Sequence, residues 1–229
     1  MVYEELTLRT EDGCRVHAWF IPVSDERATA GVTVLMCHGN SGNISHRLER
    51  VVAMHRQLGV DVLLFDYRGF GKSTGRPTEA GTHHDALAAY RYLTDQRALS
   101  ASRIVLLGES LGAAVALSLE AVVEVAGIVL EAPFESIPAM ARHLFPFVPD
   151  GWVRTRYDNL DKVSRVAIPL LVVHGTADKT VPFGQGRSVF EAAPEPKTFL
   201  TIPEGGHADA YAVGGQDYWN AWRALIGEP

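Results

Sequence analysis

Ser110 stands between Gly108 and Gly112 in the stretch IVLLGESLGAAVALSL, at the point where a Val/Ile/Leu run gives way to a small-residue segment of helical character. A hydroxyl in that place can serve as a nucleophile. In the pattern G-x-S-x-G the serine sits on a tight strand-to-helix turn, and flanking glycines remove the side chains that would collide there. A serine oxygen attacks poorly until a base takes its proton, and the base needs a carboxylate to hold its tautomer. Three acids end strand-like runs, Asp66, Glu131 and Asp178, and three histidines lie in similar places, His38, His174 and His207. Elbow enzymes run in the order serine, acid, histidine. That order excludes His38 and makes His207, on a Gly-rich loop after the last strand, the natural base, while His174 lies inside a strand and reads as structural. Spacing does not separate the three acids.

These side chains need a scaffold that gathers distant segments. The runs VTVLMCHG, DVLLFDYRG, RIVLLGES, AGIVLEAP and PLLVVHGT are short and almost continuously apolar, as strands of a parallel sheet buried on both faces should be. Helical patterns fall between them, at 45–58 with Leu48, Val51, Val52 and Leu58 inward, at 82–95 with Leu87, Tyr90 and Leu93, at 185–193 and at 216–226. The stripe of Tyr218, Trp219, Trp222, Leu225 and Ile226 in the last reads as core. YEELTLRT and CRVHAWFI, around Glu11-Asp12-Gly13, predict an antiparallel hairpin feeding the parallel array. The class is therefore α/β, one domain over residues 1–229, with a mixed and mostly parallel sheet. Ligands of such sheets bind beyond the carboxyl ends of the strands, where Ser110 lies. Residues 134–168 make an unusually long connection, rich in Phe134, Phe145, Phe147, Trp152 and Tyr157, and predict a short lid or cap.

Composition excludes several functions. The net charge of −6, without a Lys/Arg block, leaves no footprint for nucleic acid or an anionic membrane. No run reaches the ~18 apolar residues of a membrane span and the start lacks a signal pattern, so no stable membrane anchor and a cytoplasmic location are expected. Cys14 and Cys37 share no metal or CxxC spacing and read as buried free thiols. GFGKST at 69–74 imitates the end of a phosphate loop, but Asp66 occupies the position of the required first glycine. His83-His84-Asp85 resembles a metal cluster, yet Thr82 and Asp85 predict a capping-box start to the following helix. No metal or other cofactor is expected.

The segments HGNSGN (38–43), DYRGFGKSTG (66–75), GESLG (108–112), HGTADKTVP (174–182) and GGH (205–207) together resemble the α/β-hydrolase superfamily. The similarity is to its compact esterase-like and thioesterase-like members with an HGN-x-GN loop, and it spans essentially the whole chain. The resemblance implies an eight-stranded, mostly parallel sheet with helices on both faces and a short lid. It selects Asp178 over Glu131 as the acid, makes Asp66-Tyr67-Arg68 a structural turn, and maps the oxyanion hole to the backbone N–H groups of Asn40 and Leu111. The expected activity is hydrolysis of a small-molecule ester or thioester through an acyl-enzyme on Ser110, with an apolar acyl group lodged among Phe134, Phe145, Phe147 and Trp152. Peptidase relatives carry a larger cap with acidic groups, which places amide cleavage second; a noncatalytic ligand receptor of the same fold is the reading from another class. Activity should fall on acidification, because the base must be neutral to accept a proton.

Overall fold

The computed structural model describes residues 2–24, 31–145, 147 and 149–227. Strands β1 (Glu4–Arg9) and β2 (Arg15–Ile21) form the expected antiparallel hairpin, and its turn is tied by the Cys14 N–H donating to Thr10 Oγ1 at 2.8 Å. β2 also pairs antiparallel with β4 (Asp61–Phe65). From there β3 (Thr33–Cys37), β5 (Ile104–Glu109), β6 (Gly127–Glu131), β7 (Leu170–Gly175) and β8 (Lys197–Ile202) run parallel, in the order β1-β2-β4-β3-β5-β6-β7-β8. The reversal of winding around β3 and the shared direction of β3 to β8 put the carboxyl ends of β3, β5, β6 and β7 along one rim.

Alternation along the strands divides the core in two. Leu35, Leu106, Leu130 and Val172 face one side, where they meet α2 (Glu79–Arg91) and α3 (Leu111–Glu120). Met36, Val105, Leu107, Val129 and Val173 face the other, against α1 (Leu48–Leu58) and α8 (Gly215–Ile226). Strands β3, β5, β6 and β7 are buried throughout, which explains why they read as unbroken apolar runs. The predicted aromatic stripe of α8 is core, with Tyr218, Trp219 and Trp222 buried.

Several boundaries differ from the sequence reading. The helix expected at 45–58 starts as a 3₁₀ turn, Ile44–Arg47, and its buried face is Arg50, Val51, Met54 and Leu58, with Leu48 and Val52 only half-buried. The helix expected from 82 begins at Glu79 under a Thr78 cap whose side chain accepts from Gly81 N–H. Thr82 is thus an interior residue, and Asp85 turns to Arg68 instead of closing a capping box. Cys37 is fully buried, which pushes its thiol up, but Cys14 is only half-buried.

The connection 134–168 contains α4 (Ile137–Leu144), a 3₁₀ turn at Asp150–Trp152 and α5 (Asn159–Val163). α5 belongs to the body of the fold: Val163 is fully buried and Asn159 Nδ2 donates to the Phe134 carbonyl at 2.8 Å. The excursion is therefore shorter than the sequence suggested. Beyond it, α6 (Phe183–Ala192) and the short α7 (Ala210–Val213) complete the helices used below. Among the described residues no helix is long and apolar enough to cross a membrane.

Candidate active site

Ser110 directly follows β5 and precedes the first residue of α3, with φ 54° and ψ −111°, a left-handed setting that non-glycine residues seldom occupy. Its neighbours explain how the turn closes. A Cβ on Gly112 would fall inside the Cys37 carbonyl, and one on Gly108 would overlap the Gly112 carbonyl, so both glycines are dictated by backbone contact. The Ser110 N–H donates to the Glu131 carbonyl at 2.9 Å, pinning the turn to the neighbouring strand. The side chain is left at the mouth of a cavity, directly before the N-terminus of α3.

Asp178 and His207 meet. His207 Nδ1 lies 2.8 Å from Asp178 Oδ2, although the two residues come from separate loops after β7 and β8. The loops are interlocked by the Ala177 N–H donating to the Gly205 carbonyl at 2.9 Å, and Gly175 and Gly205 approach too closely for a side chain on Gly175. The Asp178 side chain is wholly buried. Its Oδ1 accepts from the N–H groups of Thr180 and Val181 at 2.8 and 2.9 Å. Burial by itself would push this carboxyl up, but the contacts from His174, His207 and the two backbone N–H groups outweigh it and hold the group well below the usual carboxylate range. An ionised carboxylate only accepts, so His207 carries its proton on Nδ1 and leaves Nε2 free as a base. His174 is a brace. Its Nε2 faces the Val181 carbonyl at 3.1 Å and Asp178 Oδ2 at 3.3 Å, both acceptors, while Gly186 is packed against the opposite ring edge.

Among the described residues no hydrogen bond joins Ser110 Oγ to the His207 imidazole. The sequence-predicted acid and base are thus brought into contact, and Ser110 stands on the same rim, directly after β5.

Glu131, the alternative acid, is spoken for. Its carboxylate pairs with Arg50 from α1 and accepts from Tyr218 Oη at 2.5 Å, and Arg50 also reaches Glu109 at 3.2 Å. Arg50, Glu109 and Glu131 are each at most 4% exposed. Burial pushes the Tyr218 phenol up, so it stays a neutral donor to Glu131. Arg50 carries the sequence signal for this network, since a charge on the same helical stripe as Met54 and Leu58 calls for a buried partner.

The third acid anchors the loop after β3. Asp66 Oδ1 accepts from the Ile44 N–H at 2.9 Å, and Asp66 Oδ2 lies 3.2 Å from His17 Nδ1. His38, whose ring is sealed, donates from Nδ1 to the Gly39 carbonyl at 2.7 Å; burial lowers its proton affinity against the opposing pull of Gly39 and Asp66. Tyr67 Oη donates to the His38 carbonyl at 2.8 Å. Arg68 completes the turn through Asp85 and Asp12. These contacts fix the path of residues 38–44, where Asn40 faces the cavity together with Ser110 and Leu111.

That cavity encloses about 540 Å³. Phe134 and Phe145 line it, as do Ile137, Met140 and Leu144 of α4, whereas Phe147 and Trp152 are 81% and 78% exposed and stand outside its wall. Its polar accents include Glu79, which the sequence did not single out, and the bonded hydroxyls of Thr82 and Tyr157, 2.8 Å apart, which the sequence placed at a helix cap and among the aromatics of the lid. Among the described residues no group of three His, Cys, Asp or Glu side chains is arranged to hold a metal ion. Asp85, next to the paired histidines 83 and 84, is committed to Arg68.

A profile of the alpha/beta hydrolase fold matches residues 32–165, over half of the chain, and the protein belongs to that family. Uncharacterized protein Rv2307c of Mycobacterium tuberculosis strain H37Rv is 37% identical over 225 residues, covering 98% of this chain and 79% of the relative. Of solved structures, the Pyrococcus furiosus esterase Pf2001 superposes with a TM-score of 0.80 at 23% identity, over 99% of this chain and 92% of the other. The esterase domain of a Rhodothermus marinus protein gives a TM-score of 0.69 at 25% identity, over 99% and 96% of the two chains.

Proposed function

We propose that this protein is a serine esterase that takes carboxylic esters or thioesters with an apolar acyl group. The observation that carries the reading is the Asp178–His207 contact on the same rim as a strained serine that opens onto an apolar cavity. Ser110 Oγ attacks the carbonyl carbon as His207 Nε2 takes its proton. The tetrahedral oxyanion meets the N–H groups of Leu111 and Asn40, donors of a kind whose single loss typically costs on the order of 10²–10³ in turnover. Collapse expels the alcohol or thiol, which receives the proton from His207. Water then repeats the attack on the acyl-enzyme, and the carboxylic acid leaves with Ser110 restored. The absent Ser–His bond is compatible with this course, since catalytic hydrogen bonds of unliganded sites often tighten only when substrate arrives.

The acyl pocket in this reading is walled by Phe134, Phe145 and α4, without Phe147 and Trp152. The esterase names of the Pyrococcus and Rhodothermus proteins agree with the chemistry without identifying a substrate. The decisive experiment is covalent labelling by a fluorophosphonate, followed by hydrolysis of matched ester, thioester and aminoacyl-amide substrates. Labelling of wild type but not of Ser110→Ala, with esters or thioesters turned over fastest, is expected. Equal labelling of the variant removes the nucleophile assignment; absence of labelling favours a binding protein, and preference for the amide favours a peptidase.

A further inference from the structure

Eight large apolar side chains stand well exposed among the described residues, and four of them, Leu144, Phe145, Phe147 and Trp152, fall between residues 144 and 152. The others, Val2, Tyr3, Val122 and Val213, are spread along the chain. Phe145 and Phe147 meet edge to face, with ring centroids 6.3 Å apart. Leu144 and Phe145 also wall the cavity in front of Ser110, so the exposed patch is continuous with the mouth of the site. Its surroundings are mildly basic: between residues 142 and 158 the chain carries Arg142, Arg154 and Arg156 against Asp150 and Asp158, the last of which pairs with Arg156 at 3.7 Å, on a protein of net charge −6. All three arginines and His143 are exposed.

We propose that this rim docks reversibly on the surface of an anionic phospholipid bilayer, with Phe147 and Trp152 at headgroup depth and the Ser110 cavity opening toward the lipid. Whole-chain charge argues against such a partner, but in physiological salt a charge is felt over only about 8–10 Å, so the arginines beside the patch govern the local attraction. A bilayer accepts projecting aromatic and aliphatic side chains without a shape-matched socket, indole is at home at its interface, and guanidinium groups pair with phosphate. A patch this small gives weak attachment, suited to an enzyme that visits a surface. Delivery of acyl substrate from the lipid rests on the esterase reading; the docking itself does not.

The test is co-sedimentation of the full chain carrying Ser110→Ala, which removes any hydrolysis, with sucrose-loaded vesicles of phosphatidylcholine alone or mixed equally with phosphatidylglycerol. Binding is expected for the anionic vesicles, reduced about tenfold in 0.5 M salt and about tenfold or more on pure phosphatidylcholine. Phe147→Ser with Trp152→Ser, and separately Arg142→Glu with Arg154→Glu, should each reduce binding by about tenfold while melting with the parent protein. Failure to bind anionic vesicles, or undiminished binding by both double variants, overturns the proposal. So does sedimentation equilibrium showing a dimer that the Phe147→Ser/Trp152→Ser pair dissociates, because the patch would then be covered by a second copy. Fluorophosphonate labelling reports on the esterase reading independently of all these outcomes.

Discussion

Two buried carboxylates sit at the ends of adjacent strands, Glu131 closing β6 and Asp178 three residues past β7, and their partners send them to opposite ends. Glu131 is held by Arg50 and Tyr218 inside a sealed network; Asp178 is held by two imidazoles and two backbone N–H groups, with one of those imidazoles 23% exposed. A guanidinium keeps its protons at any pH a protein survives, so the first arrangement can only bind and brace. An imidazole can pass a proton, so the second can do chemistry. Position along the rim does not tell the two acids apart. What each is bonded to does.

The contrast predicts unequal damage. Asp178→Asn should lower kcat/KM for the best ester by about 10⁴, while Glu131→Gln should stay within about tenfold; similar losses in both would break the comparison. Glu131→Ala should instead appear in denaturant titration as a loss of about 3 kcal/mol, from leaving Arg50 short of a partner, and adding Arg50→Met should recover part of it. If the double variant is weaker still, the network is not an electrostatic brace. On the esterase reading, Asp66→Ala releases the Ile44 N–H and should lower kcat by about 10–100-fold with KM nearly unchanged, because Asp66 would position the proposed oxyanion donor Asn40 without touching substrate. A matching rise in KM would assign Asp66 a different role.

Met140→Trp, filling the cavity wall, should shift the ratio of octanoyl to butyryl ester turnover by about tenfold toward the shorter chain, measured as kcat/KM on graded p-nitrophenyl esters. The smallest effect concerns acid stability. Because Asp178 is held below the ordinary carboxylate range when folded and titrates near ~3.9 when unfolded, its stabilisation is complete above that pH and fades as pH falls through the folded value. The stability gap between wild type and Asp178→Asn, read by denaturation from about pH 6 to about pH 2, should therefore narrow on acidification. A gap that widens toward acid contradicts the hydrogen-bonded state of Asp178.

Much of the scaffold was legible in the chain. Runs such as VLMC and LVVH are apolar at every position because both faces of the central strands are covered, and Gly108 and Gly112 are required wherever a strand turns into a helix beneath a neighbouring backbone. Helix limits were less legible. Thr82 resembles a cap, but Thr78 does the capping, since an earlier start lets α2 bury Thr82 against Tyr157 and Asp85 against Arg68. The pocket was half legible. Aromatic residues in 134–168 announced an apolar surface, yet Phe134 and Phe145 wall the cavity while Phe147 and Trp152 face outward.

The sequence alone determined the parallel sheet, the serine elbow and the small set of acids and histidines near strand ends, because alternation, glycine spacing and turn chemistry are local and leave their mark in the order of residues. Only the tertiary structure decided which acid meets which base, that Arg50 and Tyr218 occupy Glu131, and which aromatics turn inward. Those pairings depend on distances between loops far apart along the chain, and they are set when the sheet and helices pack together.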